Sequence, residues 1–451
     1  MSRALRPESR RAAFAALAAA CVVSAAALAS GKEPDRSAVY AKDVDFLLDA
    51  FEKKAGHFFK QKGIDWAAVA RQFRAEVKSV GDDGEHLKLC QRLVARLRDG
   101  HAALVDVKAK WPDVSQGRKF TGPRVHLLTV GDKVYVRAAF GEAADAGVKT
   151  GQEVAAIDGV PARKWLDRKA AELVDRYEYL CCHDGYSTDA AALYAACHLG
   201  LADWSGTKIR FDLKDGGAAK SVEIVRDGGP NFNPEGPVFP PAGVKELARE
   251  VYGKTASGFA YIHLHDVTAE LPDQIDTMLG EIGDAPGLVL DMRANVGGET
   301  DHEAVFGRFL APDEKWPPKY VGAGKRSYTG PMVVIVDAGT ASAGETVAGM
   351  FKEDGRAYLI GDSPTHGMSS SKEKAAVPSG LFAAYFSVAS NKQRFNGGRG
   401  VEGIGIAPHE LVPYDPAEMA KGVDTEIRRA EELLKAGFPK GKVAYKAPAK
   451  K

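Results

Sequence analysis

A charge imbalance is the first thing this sequence lacks: 61 Lys and Arg stand against 60 Asp and Glu over 451 residues, a formal charge of +1. Nothing in that balance points to nucleic acid or another polyion as a partner. No His-Glu-x-x-His or comparable cluster occurs, so metal-dependent hydrolysis has no motif behind it, and neither a metal nor a cofactor is expected. Beyond residue 29 no apolar run is long enough to cross a bilayer. Cysteine is scarce, five in the chain, and the pattern Cys181, Cys182, His183, Cys197, His198 does not have zinc-site spacing. A bridge from Cys197 to Cys181 or Cys182, across one loop-like insertion, is the expected pairing, although Cys90, Cys181, Cys182 and Cys197 together allow three fully paired connectivities.

The start of the chain is the exception to the even charge. Arg3, Arg6, Arg10 and Arg11 precede the apolar stretch Ala12 to Ala29, which ends Ala27-Leu28-Ala29. That is the pattern of a secretory signal with a small-residue cleavage site. Cleavage there removes the four arginines and Glu8 and leaves 57 basic and 59 acidic residues. The expectation is an exported protein, periplasmic or extracellular, that meets a membrane only if the segment is retained. Cys21 is a poor lipoprotein site, because no leucine stands three residues before it.

Two turns carry the chemistry. Thr340-Ala-Ser-Ala-Gly-Glu345 follows the apolar run Met332 to Val336 and opens a helix-like stretch with Val347, Met350 and Phe351. Ser342 therefore sits at a strand-to-helix turn, where its hydroxyl can be exposed and the free N–H groups of a helix start can face an oxyanion. Taken alone, Ser342 three residues before Glu345 reads first as a capping box. The second turn shifts that reading. Leu288 to Met292 is a short buried strand running into Arg293-Ala-Asn-Val-Gly297-Gly298. Paired glycines there let backbone N–H groups approach a ligand, at the carboxyl ends of strands where open α/β sheets place their sites.

Phe259-Ala-Tyr-Ile262, Leu288 to Gly298, Thr340 to Glu345, Gly355-Arg-Ala-Tyr-Leu-Ile-Gly361 and Gly400-Val-Glu-Gly-Ile-Gly-Ile-Ala-Pro408, in this order, resemble the catalytic domain of the tail-specific, or C-terminal processing, serine proteases. The resemblance covers most of residues 85 to 415. It implies Ser342 as nucleophile and an oxyanion hole from the N–H of Ala343 with that of Gly297 or Gly298. One branch of that family activates its serine with a lysine in a Thr-Phe-Gly-Lys-Gly-like segment; here the segment reads Thr365-His-Gly-Met368-Ser, and Met368 cannot accept a proton. Lys372 lies off the motif. The tricorn-like branch uses a histidine and a late glutamate instead, and Leu97-Arg-Asp-Gly-His101 and Glu402 stand where these are expected. A neutral imidazole takes the serine proton near pH 7, and a carboxylate on its other nitrogen fixes the tautomer.

The expected triad is thus Ser342, His101 and Glu402. The plain alternatives are a turn histidine at His101 and an exposed loop carboxylate at Glu402. Asp99 competes as orienting group, and His302 and His366 are rival bases off the motif.

The implied fold is multi-domain α/β. Residues 1–29 form the signal. Residues 30–118 form a helical cap, read from Val44, Phe46, Leu47, Ala50 and Phe51 and from Leu87 to Leu97 at helical spacing. Residues 119–228 resemble a PDZ-like β-rich domain with a Cys-containing insertion from Cys181 to Trp204. Residues 229–437 would be a spiral ββα (crotonase-like) catalytic domain entered through a Pro/Gly-rich linker, and 438–451 a Lys-rich disordered tail. A PDZ domain binds peptides by strand addition, but Pro123 in the candidate carboxylate loop Thr121-Gly122-Pro123 offers no N–H. The function implied is an exported endopeptidase acting on unstructured or C-terminal polypeptide segments. The alternative is an inactive peptide- or hydrophobic-ligand-binding relative.

Overall fold

The computed structural model describes residues 36–113, 115–173, 185–215, 218–227, 236–368, 370–390 and 394–444. The expected signal segment, Cys181, Cys182 and His183, the first part of the linker and the end of the tail lie outside these. Cys90 and Cys197 are buried and free among the described residues; the expected Cys197 bridge involves Cys181 or Cys182, which lie outside them. Among the described residues no helix is long and apolar enough to cross a membrane.

The helices Ser37–Ala55 and Asp83–Ala95 contain the residues read at helical spacing, and a further helix, Trp66–Glu76, lies between them. Asp65 and Asp82 cap the second and third, accepting from Ala68 N (2.9 Å) and Glu85 N (2.8 Å). Their apolar faces do not close a core alone. Phe51, Phe73 and Leu93 share one cluster with Phe382, Ala384 and Phe386, which come from the antiparallel hairpin Ser370–Ala376 and Ala383–Ser390. The strand Ala103–Val105 extends that hairpin by pairing with Ala383–Ser390. The segment read as a separate cap is therefore stitched to a hairpin far downstream in the sequence, because neither piece can bury its apolar face alone.

A seven-stranded sheet forms the centre of the C-terminal half, in chain order: Lys245–Leu247, Glu250–Lys254, Ala260–His263, Leu288–Asp291, Met332–Val336, Tyr358–Gly361 and Glu410–Leu411. The first two junctions are antiparallel and the rest parallel. Parallel strands need cover on both faces, so their sequences are continuous apolar runs. Ile262, Leu290, Val334 and Leu359 face the helices Leu271–Ile282 and Ala343–Glu353. Tyr261, Val289, Ile335 and Ile360 face the helix Thr425–Ala436. Arg293 forms a buried ion pair with Asp291. Buried Arg293 also reaches Tyr414 Oη (3.0 Å), Asp424 (3.0 Å) and Glu426 (2.6 Å), tying the last helix to the sheet.

Residues 125–225 build a second, antiparallel sheet. Its order is Val125–Val130, Lys133–Ala139, Glu153–Ile157, Lys208–Asp215, Ala218–Val225, with the helix Ala162–Glu172 packed on it. The first strand is an edge, where an incoming strand would pair. That edge is already in use: Leu127 N–H donates to Cys197 O (2.8 Å). The insertion helix Asp189–Ala196 buries Ala191, Ala195 and Ala196 in the same cluster as Val125, Leu127, Trp165 and Leu166. Thr121, the first residue of the candidate carboxylate loop, pairs with Asp203.

Candidate active site

The turns 293–298 and 337–342 lie side by side at the carboxyl ends of neighbouring parallel strands and are sewn together. Ala341 N–H donates to Asn295 O (2.7 Å), Ala294 N–H to Asp337 Oδ1 (2.9 Å) and Thr340 Oγ1 to Met292 O (2.8 Å). Ser342 has φ 52° and ψ −121°, a left-handed conformation costly for a residue with a Cβ and found at functional turns. Gly297 makes this approach feasible: a Cβ there would lie 2.8 Å from both Ser342 Cβ and Ala343 N.

Cap and nucleophile coexist. The Glu345 carboxylate accepts from Ser342 N–H (3.1 Å), leaving the hydroxyl facing His101, whose Nε2 is 3.1 Å from Ser342 Oγ. Both side chains are half-buried and reachable from solvent. Glu345 does more than cap. It also accepts from Thr365 Oγ1 (2.6 Å), Gly367 N (2.6 Å) and Met368 N (2.8 Å), so it moors the 365–368 segment to the nucleophile turn. Burial pushes its pKa up to about 7, with those donors pulling the other way and Glu402 adding to the rise.

The oxyanion donors narrow. Gly297 N–H is engaged by Asn295 Oδ1 at 2.9 Å and is not available to a ligand. Among the described residues, the N–H groups of Gly298 and Ala343 have no acceptor within the chain. Ala343 is the first residue of an α-helix, where a free N–H is expected.

Glu402 departs from its expected role. It is buried as the motif requires, but its Oε1 accepts from Lys62 Nζ (2.7 Å) and Ser187 Oγ (3.2 Å). His101 Nδ1 is buried with no hydrogen-bond partner among the described residues. Ligand atoms of Asp99, His101 and Glu402 do lie within 4.8 Å of one another, but the Glu402 carboxylate makes no direct hydrogen bond to the imidazole. Asp99 does not replace it, since its oxygens take His101 N–H (2.9 Å) and Ser387 N–H (2.7 Å). Burial, then the Lys372 charge, lowers the His101 pKa to about 4, with Asp99 opposing and Lys62 adding to the fall. The imidazole is therefore neutral at pH 7, as a base must be.

Neither His302 nor His366 has a hydrogen bond to Ser342 among the described residues. His366 instead packs beside the base loop: a Cβ on Gly100 would meet its Cε1 and Met368 Sδ, each at 2.9 Å. Lys372 acts on His101 only by charge. Asp99, His101 and Glu402 are the described residues with ligand geometry for a metal ion. Both Asp99 oxygens already hold backbone N–H groups, and the Lys62 ammonium stands where it would repel a cation. Lys62 and Ser187 were missed from sequence. Lys62 lies past a single 3-10 turn, Gly56–Phe58, with no motif around it.

Residues 258–412 match peptidase family S41. The carboxyl-terminal-processing proteases of a Picosynechococcus and a Synechocystis species are 28% and 26% identical over 195 and 191 residues, which cover 40% and 39% of this chain and 46% and 44% of theirs. The chain thus spans less than half the length of these curated relatives. The crystal structure of mature CPAF superposes with a TM-score of 0.64 at 12% identity, over 88% of this chain and 97% of that one, which is a likeness of fold. The chain is a mixed α/β protein with an S41-type segment, and these matches support a serine peptidase, a hydrolase.

Proposed function

We propose, from the S41 match and the 3.1 Å approach of His101 Nε2 to Ser342 Oγ, that this protein is an exported serine endopeptidase acting on unstructured or C-terminal polypeptide segments. Ser342 Oγ attacks the scissile carbonyl while His101 Nε2 takes its proton, and the oxyanion forms against the N–H groups of Ala343 and Gly298. The C–N bond then breaks, His101 returns the proton to the leaving amine, and water hydrolyses the acyl-enzyme by the same base. The nearby Glu402 charge stabilises the imidazolium, offset by Lys62. Export rests on the Arg3 to Ala29 segment. The residues 119–228 fit a PDZ-type module in which one N–H of the edge strand, that of Leu127, is taken by its own chain.

Degradation of casein by residues 30–451 beside the Ser342→Ala variant tests the assignment. Loss of a triad nucleophile costs on the order of a millionfold in turnover, so the variant should show none. Equal or absent cleavage in both would favour the second reading, a ligand-binding relative without catalysis, which the partnerless His101 Nδ1 supports.

A further inference from the structure

The insertion between the helix Ala162–Glu172 and the strand Lys208–Asp215 is anchored at both ends of its described part. Its helix Asp189–Ala196 and the following Leu199 and Leu201 are buried against the antiparallel sheet. Cys197 O takes the free Leu127 N–H, and Asp203–Trp204 pairs with Phe120–Thr121. The other end points at the catalytic loop. Gly185 lies so close to Asp99 that a Cβ would meet its carbonyl oxygen at 3.1 Å. Asp189 forms an ion pair with Arg98, and Thr188 Oγ1 donates to His366 O (3.1 Å). Between them Ser187, 1% exposed, accepts from Gly100 N–H (3.0 Å) and donates to Glu402 Oε1 (3.2 Å).

A hydroxyl has one proton to give and lone pairs to accept with, and Ser187 uses both functions on the two sides of the base. Gly100 is the residue before His101, and it has no side chain of its own to hold the loop. We propose that Ser187 is a positioning residue of the active site. Held by a segment packed on the antiparallel sheet, it sets the loop that aims His101 at Ser342 and fixes the Glu402 carboxylate within reach of the imidazole. The insertion is thus a prop for the catalytic base, and the antiparallel module is its pedestal. This rests on the peptidase reading above.

The test uses the full mature chain with Ser187→Ala and Ser187→Thr. A fluorophosphonate reports His101-assisted attack directly: Ser342 Oγ bonds to phosphorus, the P–F bond breaks with fluoride leaving, and the serine proton passes to His101. Misplacing a catalytic group by about 1 Å costs on the order of a hundredfold. Ser187→Ala should therefore label and turn over casein about 10- to 100-fold more slowly with KM unchanged, and Ser187→Thr, which keeps the hydroxyl, should recover most of the rate. Hydrogen exchange should rise in peptides spanning 98–101 while 288–292 stays protected. Wild-type labelling rates in a folded Ser187→Ala variant, or, where Ser187→Ala does not fold, a folded Ser187→Thr variant that labels about 100-fold more slowly than wild type, would overturn the proposal. A wild-type protein that neither labels nor cleaves would instead remove the peptidase reading itself, and this inference with it.

Discussion

Lys62 brings an ammonium into the interior, 5% exposed, against Glu402 and the Arg98 carbonyl (2.7 Å each). It is one of the reasons the His101 pKa falls to about 4. A base works when deprotonated, so kcat/KM should fall as pH drops through about 4, well below the ordinary histidine value of 6.5. Lys62→Met removes a lowering influence and leaves the Glu402 charge unneutralised, and both effects raise the His101 pKa. The acid limb of the pH–rate profile should therefore move up, stopping short of 6.5 because burial and the Lys372 charge, the larger causes, remain. Breaking a buried ion pair on one side costs about 3–5 kcal/mol, so thermal unfolding should shift down as well. An unmoved acid limb would show that Lys62 serves stability alone.

At the scale of elements, the nucleophile helix and the 365–368 segment form one unit through Glu345. Its carboxylate oxygens receive Ser342 N–H and Met368 N–H on one, Gly367 N–H and Thr365 Oγ1 on the other. Glu345→Gln turns one of those acceptors into an amide donor facing donors. A buried group left so costs about 1–3 kcal/mol, and the turn that holds Ser342 loosens. The variant should melt at lower temperature and lose most of its hydrolytic rate, measured by calorimetry and casein turnover. The strand-turn-helix at Ser342 and the Gly297-Gly298 turn were legible because each is a local pattern of a few residues. His101 and Glu402 were legible only through the family resemblance. Glu345 read as a cap and nothing more, since its other donors come from 20 to 23 residues downstream. Lys62 and Ser187 left no trace at all: they meet Glu402 across 340 and 215 positions of sequence, which no periodicity records.

Across the whole molecule, the apparent N-terminal cap and the C-terminal half share a core. Phe51 and Phe386 stack edge to face at 4.8 Å, and Asp43 accepts from Ser379 N–H (2.9 Å). A chain beginning at residue 119 would lose His101 and also expose Phe382, Ala384 and Phe386 on a two-stranded edge. It should aggregate or bind a hydrophobic dye rather than behave as a stable, inactive core, which size-exclusion chromatography would show. The sheet was foreseeable because its strands are continuous apolar runs. The shared core was not, because a helix's apolar stripe states that it needs a partner but not which one.

The base and nucleophile stand 241 residues apart in sequence. Polypeptide synthesis delivers the base first, and the serine, with its neighbouring glycine turn, only after three quarters of the chain has emerged. A nascent, truncated or still-threading chain therefore carries no competent site. Under the assignment proposed above, completion of folding is itself the safety catch against proteolysis at the place of manufacture.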